Sequence, residues 1–137
     1  MKKLNKKGFT LVELLAVIVV LAIIIIIAMP NIIRAMNNAR MGTFITYGRR
    51  IINTATGQFE GDRMMGTEKK CYTLADMGMT SGNYKGRVVI NDNDPQNITY
   101  TVHLTDNNFW FLGQMSQLDE RTNVKPESIS GFSVTCP

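Results

Sequence analysis

Histidine occurs once, tryptophan once and cysteine twice in the chain's 137 residues, and charged side chains make up only 19%. Most metal sites and nucleophile relays need more imidazoles, thiols and carboxylates than this stock supplies. No Ser/His/Asp arrangement, phosphate-cradling glycine loop or paired acids stands out, so the sequence reads as a non-enzyme with no metal and no cofactor. At about 100 to 200 residues per domain, the length excludes a multidomain enzyme. The formal charge of +4 would ordinarily suggest nucleic acid or an anionic surface as partner. Its distribution argues otherwise. Lys2, Lys3, Lys6 and Lys7 crowd the first eight residues without an acid, and the remaining eleven basic groups face eleven acidic ones over residues 9–137.

What the chain does have is a long apolar run. Of the 21 residues from Phe9 to Met29 only Thr10 and Glu13 are polar, and Ile23 to Ile27 are five consecutive isoleucines. As a helix this stretch is about 32 Å long, the thickness of a bilayer's hydrocarbon core. A run apolar all round leaves no solvated face for a core helix, so it reads as a membrane span. The preceding lysines keep the N-terminus in the cytoplasm by the positive-inside rule and place everything after Pro30 outside. An ordinary secretory signal has a shorter apolar stretch and then a small-residue cleavage site. Here the only nearby glycine, Gly8, lies before the apolar run, and Ala28-Met29-Pro30 makes a poor site. Glu13 stands one turn into the span. It either snorkels to the headgroups or awaits a cation, and cleavage after Gly8 would create one, the α-amine of Phe9.

Lys7-Gly8-Phe9-Thr10-Leu11-Val12-Glu13-Leu14-Leu15 resembles the N-terminal signature of type IV pilins and of the related pseudopilins of secretion and DNA-uptake machines. The resemblance covers residues 1 to about 30. It implies a membrane-embedded aspartyl prepilin peptidase that cuts after Gly8 and N-methylates Phe9, and it assigns Thr10, Glu13 and Pro30 to assembly. In a filament Glu13 would approach the Phe9 amine of a neighbouring subunit, where a low dielectric strengthens the attraction. Pro30 removes a backbone donor and disfavours helix at Met29, predicting a bend or melted turn.

Beyond Pro30 the pattern becomes amphipathic, with Ile32, Ile33, Met36, Phe44, Gly48, Ile51, Ile52, Ala55 and Phe59 mostly three or four apart. Arg34, Arg40, Arg49 and Arg50 fall off the stripe, on a solvated face. Gly42, Gly48 and Gly57 predict a less rigid helix, and Gly61 a stop. A helix from Phe9 to Glu60 is about 78 Å long, more than the remaining residues can cover, so half of it is expected to protrude. Thr73-Leu74-Ala75-Asp76 reads as a capping box for one helical turn ending at Gly78. Strands are predicted at Arg87 to Ile90, from Ile98 to Thr105, at Phe109-Trp110-Phe111-Leu112 after a turn at Asp106-Asn107-Asn108, and last around Phe132, Val134 and Cys136. The fold class is α+β: a long N-terminal helix, membrane-spanning in its first half, packed by its second half on a small antiparallel sheet, like a type IV pilin. Its expected divisions are a leader at 1–8, a span at 9–29, an amphipathic helix at 30–60 and an exported head at 61–137.

Cys71 and Cys136, on the exported side, favour a disulfide; zinc held with His103 would be one ligand short, and two free thiols are the third reading. A C-terminal disulfide-bounded region is also common in type IV pilins, though here it would span nearly the whole head. Asn91-Asp92-Asn93-Asp94-Pro95 has oxygens at alternate positions but lacks the glycine and distal acid of a calcium loop, which favours a turn closed by its own Asx side chains. Asn97-Ile98-Thr99 is a sequon of little weight in a bacterial setting. The apolar run around Trp110 reads as strand buried on both faces.

The leading functional expectation is a structural filament subunit of a pilus, with prepilin peptidase, an assembly platform, the cytoplasmic membrane and further copies of the chain as partners. A pseudopilin of type II secretion or competence is the alternative within the same family. From another class comes a DNA-capturing or adhesive module built on Lys69, Lys70, Lys85, Arg87 or Trp110, whose binding would weaken steeply with salt. An uncleaved single-pass membrane protein is a third reading.

Overall fold

In a computed structural model the described residues are 8–80, 82–119, 121–126 and 133–136. The four leader lysines and Phe132 lie outside them. The chain divides into two compact units, Met1–Asn38 and Ala39–Pro137. A single helix, α1, contributes to both and spans Leu11–Met65.

In the first unit α1 is uniformly apolar and uncovered. Ile24 and Ile25 are each 55% exposed, and no aliphatic side chain among its described residues is buried. The helix continues through Pro30, so the melted turn expected at Met29 is absent. The helical bonds on either side of a single missing donor suffice to carry the backbone past it. Ile32, Ile33 and Met36 are about half exposed and do not belong to the buried stripe, contrary to the expectation from their spacing.

In the second unit the stripe begins at Phe44. Phe44, Ile45, Gly48, Ile51, Ile52, Ala55 and Phe59 are buried at steps that follow the 3.6-residue turn. Gly61 does not end the helix. It continues for a further turn to Gly66, whose φ of 70° reaches the left-handed region that a C-terminal cap requires. There the Gly66 amide donates to the Arg63 carbonyl at 3.2 Å and the Thr67 amide to the Asp62 carbonyl at 2.9 Å, the paired bonds of a Schellman motif.

Against this face lies a five-stranded antiparallel meander in the order β1-β2-β3-β4-β5. Its strands are β1 Cys71–Thr73, β2 Lys85–Asn91, β3 Thr99–Thr105, β4 Phe109–Gln114 and β5 Lys125–Pro126. A short helix, α2, covers Met115–Leu118. Alternation places Val88 and Ile90 of β2, Val102 and Leu104 of β3, and Phe109 and Phe111 of β4 inward. With Tyr72, Leu74, Leu118 and Val124 they close one core over α1. Phe44 meets Phe109 at 5.9 Å between ring centroids, and Tyr47 stacks on Tyr84 at 3.9 Å. The polar ends of the half-buried Tyr47 and buried Tyr72 are satisfied: Tyr47 Oη donates to the Met79 carbonyl at 2.8 Å, and Tyr72 Oη to Asp62 Oδ2 at 2.8 Å. Burial and the Asp62 carboxylate together raise the Tyr72 phenol above its ordinary range.

At Gly48 the helix packs tightly against its cover. A Cβ there would stand 2.7 Å from Leu118 Cδ2, so the residue expected to loosen the helix instead permits its packing. The turn after β1 forms as its sequence predicts. Asp76 Oδ2 accepts the Thr73 amide at 2.9 Å, the Thr73 hydroxyl accepts the Asp76 amide at 3.2 Å, and Gly78 follows with a φ of 65°.

Candidate processing and assembly site

The sequence singles out Gly8, Phe9, Thr10, Glu13 and Pro30. The first four cluster at the start of α1, and Pro30 lies inside the same helix. Gly8, Phe9 and Thr10 precede the first helical residue, Leu11, and Phe9 is 92% exposed. Thr10 is the N-cap. Its hydroxyl accepts the Glu13 amide at 3.3 Å, and Glu13 Oε2 accepts the Thr10 amide at 2.9 Å. This is a reciprocal capping box, and the Leu14 amide donating to the Thr10 carbonyl at 3.2 Å opens the helical ladder.

The cap gives Glu13 a local role that reading the carboxylate as an isolated charge in a span overlooked. The signal was present, since Thr10-Leu11-Val12-Glu13 has the threonine and the glutamate three apart before an apolar run. The carboxylate sits in the first turn, at the positive end of the helix dipole, and accepts one of the amides that a helix start leaves unpaired.

After this cap, α1 is long and apolar enough to cross a membrane, and none of its most apolar stretch is buried within the chain. Unburied aliphatic surface on this scale requires lipid or other apolar helices around it. The length and composition therefore fit a membrane-anchored subunit.

Within the second unit Cys71 and Cys136 are joined by a disulfide with a Cα–Cα distance of 5.7 Å, closing 65 residues of sequence. Both sulfurs are thereby withdrawn from metal binding with His103. The final strand expected around Val134 and Cys136 is absent among the described residues. Ser133 to Cys136 are unpaired in the sheet and are held by the disulfide and by the Arg87 guanidinium, which donates to the Thr135 carbonyl. The last strand is instead the two-residue β5, which pairs with Phe109 and Trp110.

Of the basic residues singled out for DNA, Lys69 and Lys70 stand beside carboxylates. Lys70 Nζ stands 2.8 Å from Asp92 Oδ1, and Lys69 Nζ stands 3.7 Å from Asp76 Oδ1. The hydrogen bond to Lys70 lowers the Asp92 carboxyl and raises the Lys70 ammonium, so each charge holds the other ionised. Trp110 is half-buried beneath the Lys125 ammonium, 5.4 Å from the ring centroid. Phe109 and Phe111 face the core while Leu112 is 52% exposed, so this strand alternates and is not covered on both faces. The loop at residues 91–97 closes on itself. Asn91 Oδ1 accepts the Asn93 amide at 3.2 Å and Asp94 Oδ1 the Gln96 amide at 3.0 Å, and no group of three potential metal ligands exists among the described residues.

Residues 3–29 match a family model described as the prokaryotic N-terminal methylation motif, the prepilin signature of type IV pilins and pseudopilins. No curated protein and no solved structure matches the chain. Together, the motif and the α+β architecture support a pilin-like or pseudopilin subunit.

Proposed function

We propose that the chain is a non-catalytic subunit of a type IV pilus or pilus-like filament, made as a precursor, cut after Gly8, methylated on Phe9 and polymerised through its apolar helix. In this reading residues 1–8 are a basic leader, 9–29 cross the cytoplasmic membrane with the N-terminus inside, 30–60 continue as the helix that carries the head, and 61–137 are exported. The observation that carries the proposal is the conjunction of a methylation motif at residues 3–29 with a helix whose apolar stretch is left uncovered among the described residues. Partner copies and lipid are the two surroundings that can cover it, and the subunit exchanges one for the other on assembly.

The chemistry of each position agrees. The leader lysines bind the anionic inner leaflet and resist extraction, so their removal licenses the move into a filament. Cleavage leaves an ammonium on Phe9, and Glu13 of an adjacent subunit lies in an apolar setting where such a charge pair is strong. The disulfide suits an exported head, since thiols are oxidised outside the cytoplasm. A pseudopilin of a secretion or DNA-uptake machine uses the same features, and imaging of sheared surface material separates a surface fibre from a short envelope filament.

Intact mass and N-terminal sequencing of the protein purified from its native membrane, beside a Gly8→Val substitution, provide the test. A chain beginning at methylated Phe9, with the substitution blocking the cut, is the expected result. A chain beginning at Met1 in the unsubstituted protein would reduce the function to that of a tethered head domain.

A further inference from the structure

The Gly8–Phe9 peptide lies outside the helix, while the first helical residue, Leu11, follows only two positions later. Sequence propensity alone does not put the boundary there. Gly8 disfavours helix only modestly, and the residues from Phe9 to Glu13 include neither a proline nor a glycine. What distinguishes the boundary is the pair of hydrogen bonds between Thr10 and Glu13, at 2.9 and 3.3 Å, which satisfy amides that a longer helix would instead bond to carbonyls of its preceding turn.

We propose that this capping box, with Thr10 as its positioning residue, ends the helix short of the Gly8–Phe9 bond and so presents that bond as extended backbone to the peptidase that cuts it. The inference rests on the processing reading above and deepens it. Hydrolysis adds the oxygen of water to the Gly8 carbonyl carbon and breaks the C–N bond. The electron pair stays on the Phe9 nitrogen, which takes up protons to become an ammonium, and Gly8 leaves as a carboxylate. Attack must come from above or below the peptide plane. Within a helix the carbonyl oxygen is engaged by an amide one turn on, and the neighbouring turns crowd both faces of the plane. Extended backbone leaves the carbon open and frees the flanking amide and carbonyl groups to pair with an enzyme as an added strand. Thr10 is the residue after Phe9 and contributes neither atom of the bond that breaks, so its role is to set where the helix begins.

The test uses the full-length precursor in detergent micelles with purified prepilin peptidase, following the cut by intact mass. Thr10→Val keeps the shape and β-branching of the side chain but removes the acceptor, whereas Thr10→Ser keeps it. The cap is worth roughly a fivefold change in the equilibrium between the short and the extended helix. Thr10→Val should therefore be cut measurably more slowly, by at most about fivefold, while Thr10→Ser is cut at the wild-type rate. A second readout does not depend on the enzyme: the backbone carbon shifts of Gly8 and Phe9 should move towards helical values in Thr10→Val and stay extended in Thr10→Ser. Normal cutting of Thr10→Val, or unchanged shifts at Gly8 and Phe9, overturns the role given to Thr10 while leaving the processing reading intact. Failure of the wild-type chain to be cut between Gly8 and Phe9 overturns the processing reading and this inference with it.

Discussion

Residues 11–38 and 39–65 share one continuous backbone helix and differ in what their side chains require. In the first part aliphatic residues point in every direction and none is buried within the chain; in the second, Phe44, Ile51, Ile52, Ala55 and Phe59 are each at most 1% exposed and follow one stripe. Hydrophobicity alone therefore does not identify a core. Periodicity is what marks a face that the chain covers itself, and its loss marks a surface left for lipid or for other copies.

The comparison breaks hardest at single apolar side chains. Phe44→Ala should destabilise the head by about 3 to 5 kcal/mol, because a fully buried ring is replaced by a cavity between α1 and β4. Ile24→Ala should leave head stability unchanged within about 0.5 kcal/mol, its effect falling on membrane partition. Thermal unfolding of the full chain in micelles, followed through the near-ultraviolet signal of the single tryptophan on β4, measures both. Equal losses in the two variants would mean that the first part of α1 supports the head after all.

The disulfide lies wholly in the second unit, and removing it should act there alone. Replacing Cys71 and Cys136 together by serine frees a 65-residue loop in the unfolded chain and should lower head stability by about 4 kcal/mol on the chain-entropy estimate. The helical circular dichroism of the apolar part should not change. A pairing of these cysteines was legible from their even number and exported location. What was not legible was how the C-terminal segment lies, because its apolar alternation at Val134 and Cys136 looks like strand, whereas a covalent tie and one hydrogen bond from Arg87 fix it without a ladder. Period-2 patterning reports two faces but cannot report whether a neighbouring strand is free to pair.

The same distinction explains the other successes and misses. The stripe from Phe44 to Phe59, the alternation of β3 and the Thr73–Asp76 cap were readable because each depends on residues close in sequence. The edges escaped. β1 is three residues long, β5 two and α2 four, too short for periodicity to register, although Leu118 of α2 is fully buried. Gly61 looked like a stop, yet Gly66 is the residue whose positive φ closes the Schellman motif. At the candidate site the methylation motif over residues 3–29 is legible in the sequence, while the Thr10–Glu13 cap shows only when Glu13 is read by its spacing from Thr10 and not by its charge alone.

Glycines on α1 sharpen the comparison within the second part itself. At Gly48 an added Cβ would meet Leu118 Cδ2 at 2.7 Å and Leu104 Cδ2 at 3.4 Å, both on fully buried side chains, whereas at Gly57 it would meet nothing within 4 Å beyond the helix's own adjacent backbone. Gly48→Ala should thus destabilise by about 1 kcal/mol, overpacking outweighing the gain in helix propensity. Gly57→Ala should stabilise by up to about 1 kcal/mol, since only propensity changes. Opposite signs in one denaturation series are the expected outcome, and a stabilising Gly48→Ala would show that Leu118 has room to move.

The smallest effect concerns pH and touches only the sheet. Partial burial, and secondarily the Arg87 guanidinium on the neighbouring strand, lowers the His103 imidazole below its ordinary value of 6.5. A lowered value means that the unfolded chain binds the proton more readily than the folded one. The sign follows: full stability is present above pH 6.5, and part of it is lost as the pH falls from there towards the folded value, below which no further loss arises from this group. His103→Gln should remove that slope while leaving the low-pH loss from Asp76, whose carboxyl is lowered by bonds from the Thr73 hydroxyl and amide. Stability of both chains measured from pH 8 to pH 3 decides it, the His103 slope lying in the upper part of the range and the Asp76 loss in the lower. A slope that survives the substitution assigns the dependence to another group, and a slope of the opposite sign would mean that the folded sheet stabilises the imidazolium in spite of Arg87.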